Sequence, residues 1–97
     1  MAARDRLPPS VRPLVARLAA AEGVRRVVLY GSRARVDHRE RSDVDLALDA
    51  PDLSRETWAR LWADAQEAET LYHVDLLRLD QAPDRLRQRI QAEGVDV

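Results

Sequence analysis

The chain has no cysteine, which excludes disulfides and thiolate metal sites and fits a cytoplasmic protein. It has no lysine either, and all sixteen basic residues are arginine. A coding bias of the source genome is the plain reading of that choice, but the absence still rules out chemistry that depends on lysine. A phosphatase using Asp43 as nucleophile with a companion lysine is one such case. No apolar run approaches the roughly 20 residues of a membrane helix. The opening Met1-Ala2-Ala3-Arg4-Asp5-Arg6 lacks the apolar stretch of a secretory signal. A P-loop, zinc-ligand spacing and a nucleophile with a partnered base are missing too. At a net charge of −1, bulk electrostatics provide no pull toward nucleic acid. Neither nucleic acid nor membrane is therefore expected as a partner.

Ninety-seven residues, 45% hydrophobic and 34% charged, suit one soluble domain rather than a disordered chain. A chain of this size buries roughly 60–70% of its unfolded surface. Residues 1–9, ending in Pro8-Pro9, are expected as a flexible arm, and 10–97 as the single domain. Ser10 is expected to cap a helix whose apolar positions are Val11, Leu14, Val15, Leu18 and Ala19. Pro13 is tolerated in its first turn and Gly23 ends it. Residues 24–30 read as a β-branched strand broken by Gly31, and 43–48 as a second strand. Ser54 caps a second helix with a core-facing stripe of Trp58, Leu61, Trp62, Ala65 and Ala68. A third strand spans 72–79, and Pro83 opens a helix with Leu86 and Ile90 inward and Gly94 at its end. Residues 95–97 make a short last strand. This order predicts a small α/β domain with helices on one face of a sheet.

The chemistry concentrates between residues 31 and 45. Gly31-Ser32 follows a strand directly, so backbone N–H groups and the Ser32 hydroxyl can meet phosphate, and glycine lets the backbone approach closely. Asp43 and Asp45, at i and i+2 on a strand, point to one face with Cα atoms about 6.5–7 Å apart. Carboxylates so placed can share a pair of Mg²⁺ ions roughly 3.5–4 Å apart, the arrangement used for phosphoryl or nucleotidyl transfer. With eleven aspartates in the chain, chance supplies on the order of one Asp-X-Asp. A solvated strand face is the plain alternative for the pair taken alone; the nearby Gly31-Ser32 turn shifts the balance. Asp75, set among apolar neighbours on the third strand, joins the pair if that strand lies beside the second. Three carboxylates so close should hold raised pKa values until metal arrives.

Six arginines fall between positions 25 and 41. Arg33, Arg35 and Arg41 can reach phosphate or a partner, or stand as solvated surface residues; Arg35 is the best placed of them. Tyr30 buttresses the turn. His38 and His73 lie far apart, so no histidine metal site is expected.

Taken together, Leu29-Tyr30-Gly31-Ser32-Arg33-Ala34-Arg35, Ser42-Asp43-Val44-Asp45-Leu46-Ala47 and Val74-Asp75-Leu76-Leu77 resemble the minimal nucleotidyltransferases of the DNA polymerase β-like superfamily. The tail Arg87-Gln88-Arg89-Ile90-Gln91-Ala92-Glu93-Gly94 is similar as well. The resemblance spans roughly residues 11–97. It implies a polymerase β-like fold with a small mixed sheet. It also implies metal-binding and catalytic aspartates at Asp43, Asp45 and Asp75, with Asp75 helping to deprotonate the acceptor. Gly31 and Ser32 would grip the triphosphate, assisted by Arg35 and Arg41. Small stand-alone members of this type are often antitoxins that transfer AMP from ATP to a tyrosine of a helical HEPN-domain ribonuclease toxin. One departure is Val36, which stands where many relatives carry a second glycine. The alternative function is a non-catalytic antitoxin that neutralises its partner by occlusion.

Overall fold

The computed structural model describes residues 6–35 and 43–97. One mixed sheet has the strand order β3-β2-β1-β4. Its strands are β1 Arg26–Tyr30, β2 Val44–Asp49, β3 Val74–Arg78 and β4 Val95–Asp96. The sheet is antiparallel from β1 to β2 and from β1 to β4, and parallel from β2 to β3. A parallel pair cannot be joined by a tight turn. The crossover is α2, Arg55–Gln66, while α1 (Arg12–Ala20) precedes β1 and α3 (Asp84–Glu93) joins β3 to β4.

Period-two alternation assigns the two faces. Val27 and Leu29 of β1, with Val44, Leu46 and Leu48 of β2, are buried with Leu14, Val15 and Leu18 of α1 and Leu61 and Ala65 of α2. Val28 and Ala47 point the other way and are covered by Ile90 and Leu86 of α3, beside Leu77 and Leu79. The helices therefore cover both faces of the sheet, α1 and α2 one and α3 the other, rather than the single face that the sequence order predicts. Val28, Ala47 and Leu77 make an apolar strip on the second face, and α3 covers it.

Several local expectations change. Ser54 does cap α2, its Oγ accepting the Thr57 N–H at 3.1 Å. Ser10 does not cap α1. It lies in a 3-10 turn, Pro9–Val11, and its hydroxyl bonds Thr70 Oγ1 at 2.8 Å instead. Packing also begins before Ser10: Leu7 is buried in the main core, and Arg6 Nη1 donates to the Ala34 carbonyl at 2.5 Å. Residues 1–5 of the expected arm lie outside the described residues. Trp62, expected in the core, is 48% exposed. One position beyond Leu61, it stands about 100° further round the helix, at the rim rather than in the interface.

Candidate active site

The backbone brings the expected acids together through register. Tyr30, Asp45 and Asp75 are successive Cα partners across β1, β2 and β3, so their side chains share one face. Asp43 precedes Val44 by one residue, and alternation returns it to the same face as Asp45. This is the face that α3 covers at Val28 and Ala47. Acids therefore occupy one end of the face and an apolar contact the middle. Arg26, bonded to Asp49 at 2.9 Å and to Asp96 at 3.3 Å, closes the far end.

The turn follows β1 at the acid end. Gly31 has φ +75°, a conformation open to glycine at little cost, and begins a 3-10 turn, Gly31–Arg33. Ala34 N–H donates to the Gly31 carbonyl at 3.1 Å, and Arg35 N–H to Ser32 at 3.2 Å. A Cβ on Gly31 would stand 2.5 Å from Asp45 Oδ2, so a side chain there would push the carboxylate out of its present place. Two motifs separated in sequence thus touch.

Electrostatics record the crowding. Burial, then the Asp75 and Asp43 carboxylates, raise the Asp45 pKa above its ordinary value, with His73 opposing them. Burial, reinforced by Asp45 and Asp75, pushes the Tyr30 hydroxyl up to about 12. The expected raising is thus present at Asp45. Among the described residues, however, no three His, Cys, Asp or Glu side chains are gathered closely enough to hold a metal ion. Like charges repel, and Asp43 and Asp75 are exposed, so the trio shares a face without closing into a ligand set. The donors themselves, carboxylate oxygens on an open face, are of the kind that Mg²⁺ takes.

Residues 14–97 match the family described as Polymerase beta, Nucleotidyltransferase. The chain belongs to that family. Three solved structures share the nucleotidyltransferase fold. A chain in a toxin–antitoxin crystal structure with AMP-PNP aligns with TM-score 0.66 at 24% identity, covering 90% of this chain and 68% of that one. A chain in a mutant MntA-HpeT toxin–antitoxin complex, with two aspartates two positions apart changed to glutamate, gives 0.63 at 25% identity, covering 89% and 67%. A chain from tri-AMPylated Shewanella oneidensis HEPN toxin in complex with MNT antitoxin gives 0.58 at 24%, covering 89% and 64%. No curated protein matches.

Other expected residues of the nucleotidyltransferase fall differently. Arg35 is exposed at the end of the turn and pairs with Glu93 of α3 at 3.5 Å. Arg33, considered as a surface arginine, is only 4% exposed, its guanidinium carbon 4.9 Å from the centre of the Tyr72 ring. Arg41, Val36 and His38 lie outside the described residues. In the sequence His73 is weighed only as a metal ligand with His38. It stands two positions before Asp75, on the acid face, and its backbone carbonyl accepts the Val44 N–H at 2.9 Å. That i, i+2 spacing to Asp75 was the available signal.

Proposed function

We propose that the chain is a Mg²⁺-dependent nucleotidyltransferase that transfers AMP from ATP to a hydroxyl of a protein partner. The acceptor in this reading is a tyrosine of a HEPN-domain toxin, which the chain silences as its antitoxin. The observation that carries the reading is the contact of the Gly31 turn with Asp45, in a row that continues to Asp75. In this reading the phosphates lie directly against carboxylates suited to a divalent cation. Support also comes from structures of the same fold that hold AMP-PNP or an AMPylated HEPN toxin with its MNT antitoxin.

In this reading Gly31 admits the triphosphate, the Ser32 hydroxyl and N–H bond it, and Arg35 adds a fixed positive charge beside it. Two Mg²⁺ ions, held by Asp43, Asp45 and Asp75, would supply charge neutralisation to the phosphates and acidify the acceptor. The acceptor oxygen forms a bond to the α-phosphorus as the bond to the bridging oxygen of the β-phosphate breaks. Pyrophosphate leaves, and the hydroxyl proton passes to the Asp75 carboxylate.

Thermal unfolding with ATP, with Mg²⁺ and with both tests the site. A ligand at about 1,000 times its Kd stabilises by roughly 4 kcal/mol, visible as a raised midpoint. The reading expects a shift that needs both ligands and disappears in Asp43→Asn. No shift with either or both would count against it.

A further inference from the structure

The phosphate-side turn has little of its own to hold it. Gly31–Arg33 is a single 3-10 turn, and no side chain caps its start. Short 3-10 segments have poor hydrogen-bond geometry and depend on their surroundings. Its position must come from side chains that reach back into the protein.

Two such anchors stand among the described residues. Arg33 turns inward, almost wholly buried, and lays its guanidinium over the Tyr72 ring at 4.9 Å. One residue on, the Ala34 carbonyl accepts a hydrogen bond from Arg6 Nη1 at 2.5 Å, and Ala34 itself is buried. Tyr72 is fixed in turn: its N–H donates to Thr70 Oγ1 at 3.3 Å, and Thr70 Oγ1 bonds Ser10 Oγ at 2.8 Å. Tyr72 also stands three residues before Asp75 on the segment entering β3. One stretch of chain therefore carries both the ring beneath the turn and the third carboxylate.

We propose that Tyr72, through its stack with Arg33, is a positioning residue that sets the Gly31-Ser32 turn against Asp45 and so governs nucleotide affinity. With Arg33 held inward, the turn keeps the orientation in which Gly31 abuts Asp45 and Arg35 faces out toward Glu93. Without the ring, the turn keeps its backbone hydrogen bonds and the Arg6 contact at Ala34 but loses the stack that holds Arg33 inward, next to the Gly31-Ser32 pair. Preorganisation of this kind shows in binding rather than in the fold. The inference rests on reading the site as a nucleotide site.

The test is calorimetric titration of the whole chain with AMP-PNP in Mg²⁺, alongside unfolding of the ligand-free protein. Tyr72→Leu keeps an apolar side chain but removes the π face. It should bind about tenfold more weakly, which corresponds to about 1.4 kcal/mol. Tyr72→Phe keeps the face and should bind within about twofold of the unmutated chain. If Tyr72→Leu does not fold, Arg33→Met asks the same question from the other partner and should show the same loss. Unchanged affinity in Tyr72→Leu, or in Arg33→Met where that variant replaces it, overturns the proposal. So does an equal loss in Tyr72→Phe and Tyr72→Leu. If the unmutated chain binds no AMP-PNP, the nucleotide reading itself falls, and the positioning role falls with it.

Discussion

Gly31 and Asp45 touch: the Asp45 carboxylate lies where a side chain on residue 31 would begin. A Cβ there would stand 2.5 Å from Asp45 Oδ2, on a backbone already at φ +75°. Gly31→Ala therefore meets two penalties, the positive φ at roughly 1–2 kcal/mol and overpacking at roughly 1–3 kcal/mol. In urea unfolding it should lose about 2–5 kcal/mol. In an Asp45→Ala background only the backbone part should remain, so the two substitutions should couple. Equal losses in both backgrounds would contradict the contact.

Asp45 should behave as a site residue that costs stability. Its pKa is raised, first by burial and then by Asp75 and Asp43. A raised carboxyl favours folding fully below its unfolded value and loses that contribution as pH rises through its folded value. In EDTA, Asp45→Asn should therefore unfold at a higher temperature than the unmutated chain at pH 7. The difference should shrink as pH falls toward 4. A variant less stable at pH 7 would show that the charge is compensated in the ligand-free state.

Tyr30 offers a spectroscopic handle on the same cluster. Its hydroxyl is pushed up to about 12, chiefly by burial and then by Asp45 and Asp75. The neutral form supports folding up to about pH 10, and that support is lost between about 10 and 12. In a Tyr72→Phe chain Tyr30 is the single tyrosine, and its ultraviolet titration should centre near 12. Adding Asp45→Asn should lower that midpoint yet leave it above the ordinary value, because burial persists. A midpoint near 10 in the first variant would contradict the burial.

Arg35 separates a surface ion pair from a phosphate contact. It pairs with Glu93 at 3.5 Å, both side chains close to half exposed. Such pairs contribute about 0–1 kcal/mol. Arg35→Gln should therefore leave the unfolding midpoint nearly unchanged while weakening AMP-PNP binding severalfold. Unaltered binding would make Arg35 a surface residue only.

The acid row was legible because strand geometry converts i, i+2 spacing into a shared face, and the β-branched run at 24–30 and the apolar alternation at 43–48 announce strands. Asp75 needed one more assumption, that β3 lies beside β2, and the register Asp45↔Asp75 meets it. Other features depended on tertiary partners that no local pattern displays. The second apolar face is a case: Val28 and Ala47 sit singly between residues of the main core, and Leu77 between Leu76 and Arg78, so α3's side of the sheet did not stand out. Arg33 is another, since an arginine reads as surface until the Tyr72 ring beneath it is seen. Ser10 has the chemistry of a cap, but Thr70 takes its hydroxyl instead.

The central claim is that this face transfers a nucleotidyl group to a protein hydroxyl. The direct measurement incubates the chain and a co-expressed HEPN-domain partner with Mg²⁺ and ATP labelled at either the α- or the γ-phosphate. The account predicts label on a partner tyrosine from the α-position alone, and none with Asp45→Asn. No label from the α-position, or equal labelling by a natively folded Asp45→Asn chain, would contradict it.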